Sequence, residues 1–270
     1  MQPLRPEEEW VRALMEELLG VPVVQHDDQS RPSMHDLSVQ YPDRAAAAVE
    51  VTAAADAEMI EFWAQVDDGR WIEPQLTGGW GVHVSPGSKF KTLKRDLPTL
   101  LGVFEQAGVR RFNNRYRESV PGEAFAREIG VATAFQSPTT SYPGSIYLHP
   151  DLPQERASGF VAPTGDALAE WLSEFLRTSP QAPRVRQKLR LSGAAETHAF
   201  VLVPGLAAEA PFLVLDLVML DDKPLPTIAP ELPAEITDVW AATPGATGTV
   251  YRWSATTGWL RFGKHALAEA

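Results

Sequence analysis

Apolar residues first recur at helical spacing at Trp10, Val11, Leu14, Met15 and Leu18. The spacing predicts an amphipathic helix over 6–19, opened by Pro6, with acids in its first turn, and stopped by Gly20. The period then changes to two. Over 34–41, Leu37, Val39 and Tyr41 alternate with Asp36, Ser38 and Gln40; over 45–52, Val49 and Val51 alternate with Glu50 and Thr52. Pro42-Asp43-Arg44 supplies turn chemistry between them, which predicts a β-hairpin. A short helix is expected over 56–66.

Gly78-Gly79 breaks the chain before a strand at 80–84. Residues 88–107 carry a second apolar stripe (Phe90, Leu93, Leu97, Leu100, Leu101, Phe104), with Pro98 predicting a kink or a break. The middle, 110–163, offers a short helix near 121–129 and short strands at 146–148 and 160–161. A helix capped by Thr164 is expected over 165–178, resuming over 183–191. Residues 198–203 and 236–241 read as buried strands, and 211–220 as an apolar helix or strand. A closing hairpin pairs 250–253 with 259–262. Interleaved strands and helices predict a single α/β domain over 1–270, with 110–163 as the candidate insertion. Its mixed sheet starts with the antiparallel hairpin and is flanked by helices 6–19 and 88–107.

The first hairpin carries the candidate chemistry. With Pro42-Asp43-Arg44 as a three-residue loop, Tyr41 faces Ala45 and Asp36 falls opposite Glu50. Both carboxylates then point to one face, with Thr52 beside them. Directly opposed residues have Cβ atoms about 5 Å apart, where two like charges repel unless a cation or a shared proton intervenes. A hard divalent cation such as Mg²⁺ meets that need. A register slip of one residue would separate the two. A solvated pair of acids on an unpartnered hairpin face is the plain alternative.

A helix followed by a hairpin with Asp on one strand and Glu-Val-Thr (50–52) on the next resembles the PD-(D/E)XK restriction-endonuclease-like superfamily. The resemblance covers 6–107, the expected nuclease-like core. It implies metal ligation by Asp36, Glu50 and the backbone carbonyl of Val51, and a helix acid at Glu17. Thr52 departs from the pattern, because it stands where the superfamily has its lysine. Some members recruit that lysine from the following helix, and Lys89, Lys91 and Lys94 are the candidates. The activity so implied is Mg²⁺-dependent phosphodiester hydrolysis. The alternative is an inactive protein on the same fold that binds nucleic acid or an acidic protein partner. Further along, Gly79-Trp80, Leu232-Pro233, Val239-Trp240 and Trp253 to Trp259 resemble a group of actinobacterial proteins, a likeness that carries no activity.

Charge changes this picture. The 270 residues have a net charge of −11, which argues against a polyanionic partner. Yet residues 85–118 and 184–190 hold 12 of the 24 Lys and Arg and only 3 of the 35 Asp and Glu. Lys89, Lys91, Lys94, Arg95, Arg184, Arg186 and Lys188 are therefore candidate nucleic-acid contacts, if the two segments share a face. Two solvated basic helices are the plain alternative. The absence of cysteine excludes disulfides, thiolate metal sites and cysteine nucleophiles. Phosphate-loop, dinucleotide-binding, zincin and nucleophile-elbow motifs are absent, and the histidines lack metal-ligand spacing. His198, opening an apolar strand, reads as a core histidine. No apolar run is long enough to span a bilayer and the N-terminus is acidic, so a cytoplasmic protein is expected.

Overall fold

The computed structural model describes residues 3–28, 32–57, 59–61, 70–85, 87–114, 119–137, 144–152, 164–205, 208–244 and 247–264. The chain divides into two compact units, residues 1–55 with 155–270, and residues 56–154. The segment between the two parts of the first unit is 56–154, which begins earlier and ends earlier than the expected 110–163. The expected strand at 160–161 and most of the helix expected over 56–66 lie outside the described residues.

In the first unit, α1 (Pro6–Leu19) forms where the stripe predicts, with Pro6 in its first turn and Gly20 at φ 65° closing it. A seven-stranded mixed sheet follows, in the order β1 (Val23–Gln25), β2 (Leu37–Val39), β3 (Ala47–Ala53), β9 (Thr197–Leu202), β10 (Asp238–Ala242), β11 (Thr249–Ser254), β12 (Gly258–Gly263). β3, β9 and β10 run parallel, and every other pair is antiparallel. The parallel strands are buried almost throughout, as strands covered on both faces must be.

One face of this sheet presents Val49, Val51, Phe200, Leu202 and Trp240 to Val11, Leu14 and Met15 of α1. The other presents Ala48, Ala199, Val201, Val239 and Ala241 to α4 (Asp166–Thr178), α5 (Ala182–Ser192) and α6 (Phe212–Met219). α6 settles the ambiguity of 211–220 in favour of helix. α4 and α5 are separate helices, and Gly165 rather than Thr164 stands at the start of α4.

The second unit holds a five-stranded sheet in the order β4 (Arg70–Ile72), β8 (Ser145–Pro150), β5 (Gly79–Val84), β7 (Val131–Ser137), β6 (Arg111–Asn113). α2 (Phe90–Gln106) packs Leu93, Leu97, Leu100, Leu101 and Phe104 onto Trp80, Val82, Ala134, Ile146 and Leu148. α3 (Glu123–Glu128) adds Ala126. Two expectations are corrected here. α2 covers this sheet and not the one that carries Asp36 and Glu50, because an amphipathic stripe states that a helix needs an apolar surface without stating which one. It also runs unbroken through Pro98, whose single missing donor is outweighed by the buried leucines on either side.

Candidate metal centre and its clefts

The hairpin register is the expected one: Leu37 faces Val49, Ser38 faces Ala48 and Val39 faces Ala47. Asp36 lies one residue before β2 and donates its backbone N–H to the carbonyl of Val49 at 3.1 Å. It therefore sits beside Glu50. Both are buried, each with 3% of its surface exposed. The polar side of β3 does not face water, because α5 covers it.

α5 supplies what neither strand contains. Lys188 Nζ lies 2.9 Å from Asp36 Oδ1 and 2.9 Å from Glu50 Oε1. The two carboxylates consequently stand no further apart than twice that distance. Asp36 Oδ2 accepts a hydrogen bond from the backbone N–H of Val51 at 2.8 Å, which ties the acid to the next strand. Glu50 Oε2 is buried and has no partner. Burial first, and then the neighbouring Asp36 charge, push the Glu50 carboxyl up to about 8, against the opposing pull of Lys188 and Arg184. Burial disfavours the charged Lys188, but Glu50 and Asp36 more than offset it, and its pKa is raised. The ammonium thus keeps its proton.

Two clefts open beside this triad. One, of about 440 Å³, is lined by Glu50, Val51, Thr52, Gln181, Arg184 and Arg5, among others. The second, of about 260 Å³, is lined by Asp36, Asp27, Glu8, Arg5 and Arg184, among others. Both are rimmed by the same two arginines. Thr52 stands on the cleft wall and supplies no charge. Val51 lines the same cleft.

The remaining site expectations divide. Glu17 is exposed and lines neither cleft; the α1 acids that line them are Glu7 and Glu8, the latter 8% exposed and bound by Arg5. Lys89, Lys91, Lys94 and Arg95 belong to the second unit, on α2 or at its start, so none is the lysine of the helix over β3. Lys188 does not stand on a solvated helix face: at 4% exposure and bonded to two carboxylates, it is an internal cation. Arg184 is exposed at the cleft mouth, and Arg186 lines neither cleft. The sequence does hold a signal for Lys188. It falls three residues after Val185 and one before Leu189, inside the buried stripe of α5, where an unpaired lysine is costly.

On the opposite face of the sheet, Glu196, His198 and Asp238 bring ligand atoms within 4.8 Å of one another. Their hydrogen bonds account for them without a metal. Trp240 Nε1 donates to His198 Nδ1 at 3.0 Å, so the ring proton sits on Nε2 and is donated to Glu196 Oε1 at 2.8 Å. Glu196 also accepts from Tyr41 Oη at 2.8 Å and pairs with Arg44, and Asp238 pairs with Arg252. His198 is the satisfied core histidine the strand pattern predicts. The bond from His198, with Tyr41 and Arg44, holds the Glu196 carboxyl down at about 2. A depressed folded-state value stabilises above the unfolded value, near 4.5, and that contribution is lost as pH falls toward 2. Glu196→Gln is expected to cost about 1.5–3 kcal/mol at neutral pH. In urea unfolding the gap from wild type should narrow in acid.

Compared with protein-family models, with curated protein sequences and with solved structures, the chain matches none. Among the described residues, no helix is long and apolar enough to cross a membrane.

Proposed function

We propose that the Asp36–Glu50–Lys188 centre is a divalent-metal site for hydrolysis of a phosphodiester, of the PD-(D/E)XK kind with its lysine moved from the strand to the helix over it. The observation that carries this reading is Lys188 Nζ bonded to both carboxylates from α5, while Thr52 fills the strand position. A second lends support: Glu50 Oε2 is buried with no partner, an unused ligand atom at the cleft. The donor set fits Mg²⁺, a hard ion that takes one or two carboxylates and completes its shell with water and phosphate oxygens. When bound, such an ion lowers the pKa of its water and neutralises charge on the phosphoryl oxygens.

The chain's own residues would do the rest. Asp36 is held by the Val51 N–H and need not reorganise to ligate. Glu50 must give up its proton to ligate, so metal affinity rises with pH through about 8. Lys188, displaced from between the carboxylates but still cationic, would hold the attacking water or a non-bridging phosphate oxygen. Arg5 and Arg184 flank the clefts where a sugar–phosphate backbone would lie.

The test is a Mg²⁺ and Mn²⁺ titration with single- and double-stranded DNA and RNA, comparing wild type with Asp36→Ala and Glu50→Ala. Metal-dependent cleavage that both variants abolish is the expected result. One observation favours the inactive alternative: Lys188 already occupies the space between the carboxylates and neutralises them. In that case no metal binds, and nucleic-acid binding persists in Glu50→Ala and collapses with salt.

A further inference from the structure

The second unit carries a surface that hydrolysis at the first does not use. Its five-stranded sheet is covered on one face by α2, and the strand register defines what the other face presents. Gly81 of β5 faces Phe135 of β7 on one side and Tyr147 of β8 on the other. Phe135 in turn faces Arg111 of β6, and Tyr147 faces Arg70 of β4. One row across the whole sheet therefore reads Arg70, Tyr147, Gly81, Phe135, Arg111. The next row places His149 beside His83 and His83 beside Thr133.

Gly81 determines how the central ring lies. A Cβ built on it would meet the Phe135 ring at 2.3 Å, so the ring is laid across the bare backbone of β5. Any larger residue at 81 would lift it. Phe135 is nonetheless 40% exposed, so a side of the ring remains open to solvent. The His83 ring lies 6.3 Å from it at an interplanar angle of 58°, and the His149 ring 5.4 Å beyond that at 47°, so three tilted rings stand in succession on this face. Burial and the adjacent His83 hold His149 below the usual histidine pKa, which favours its neutral ring.

Among the described residues, the strand positions 70, 72, 81, 83, 111, 113, 133, 135, 147 and 149 of this face include no Asp or Glu, in a chain where acids outnumber bases 35 to 24. Arg111 stands at one end of the aromatic row and is exposed. Rings that lie on a sheet with a cation at the margin suit unstacked bases with a flanking phosphate backbone. Each base offers a π-face, and a duplex keeps its bases stacked and its surface curved away from a sheet.

From this we infer that the open face of the 56–154 unit is a stacking platform for single-stranded nucleic acid. It holds the strand through Phe135, His83 and His149, with Arg111 on the backbone. It does not depend on the metal centre, and it binds whether or not cleavage occurs.

The test is fluorescence anisotropy of fluorescein-labelled oligo(dT) and oligo(U) with the full chain in EDTA. Wild type should bind the single strands more tightly than the same sequence annealed to its complement. Phe135→Ala should weaken binding roughly tenfold, the loss of one base–aromatic stack. Phe135→Trp should restore it. Gly81→Val keeps Phe135 but displaces its ring, and should weaken binding as Phe135→Ala does. Arg111→Ala should lower the salt dependence. Because binding is read in EDTA, with neither metal nor cleavage, failure of the platform is distinguished from failure of the metal-site reading. Near-equal binding by wild type, Phe135→Ala and Arg111→Ala would overturn the inference, as would a preference for duplex or no binding of either oligonucleotide. Circular dichroism melts of each variant confirm that the sheet is intact, and Arg111→Ala, whose side chain is exposed, keeps the test decisive where a variant of the aromatic row fails to fold.

Discussion

Lys188→Met should unfold at markedly lower denaturant than wild type in EDTA, and regain much of that loss when Mg²⁺ is added. Among the described residues, the ammonium is the cation that pairs with both Asp36 and Glu50, in a site only 3–4% exposed. Breaking a buried ion pair by removing one partner costs about 3–5 kcal/mol, because the remaining charge is left uncompensated. The methionine nearly matches the lysine stem in volume, so little of the loss comes from packing. A divalent cation entering between the carboxylates replaces the missing charge and stabilises by mass action. Cleavage at the proposed site should still fall by about 10²-fold or more, since the charge proposed to stand beside the reacting phosphate is gone. Lys188→Arg should not rescue it fully, because a planar guanidinium cannot occupy the same point between two oxygens. Urea unfolding with and without Mg²⁺ reads the first effect. A Lys188→Met protein as stable as wild type, and indifferent to Mg²⁺, would show that the carboxylates do not need a cation.

Glu50→Gln should make the protein more stable at alkaline pH without metal, while abolishing cleavage. The sign follows from the raised Glu50 value. A carboxyl whose folded-state pKa lies near 8, against about 4.5 unfolded, contributes its stability at low pH and loses it as pH rises through 8. Above that, wild type must ionise a buried acid next to Asp36, and every tenfold weakening of that acid costs about 1.4 kcal/mol. Glutamine keeps an oxygen for Lys188 and removes the ionisation. The two unfolding curves should therefore coincide most nearly near pH 5, with the variant ahead by about 2 kcal/mol or more at pH 9. Mg²⁺ should reverse that order, since only the carboxylate ligates well. Parallel curves across the pH range would place the Glu50 carboxyl in a solvated setting instead. A group that stabilises only when protonated or ligated is the usual cost of a site shaped for function.

Much of this centre is legible in the sequence. The period-two pattern and the Pro42-Asp43-Arg44 loop yield the register that sets Asp36 beside Glu50, because side-chain direction and cross-strand pairing are local consequences of backbone geometry. α1, the short helix over 123–128 and the closing hairpin follow from stripes and turns in the same way. The strands β1, β4, β6 and β7 do not emerge from the pattern. Three of them have three residues each, too few for a period to show.

The partner of the two carboxylates is not legible there, and the reason is chain connectivity. Lys188 is 152 residues from Asp36, across an inserted unit that interrupts the chain between β3 and α5. The long helix expected to flank the hairpin, α2, belongs to the inserted sheet; the helix that lies over the hairpin is α5. Periodicity determined that each is a helix with one apolar face. Only tertiary packing decided which sheet each face covers, because burial rewards apolar area and not position along the chain. The same holds for charge. Local pattern identified an acidic pair and a basic segment, and the fold converted one basic residue of that segment into the buried counter-ion of the pair.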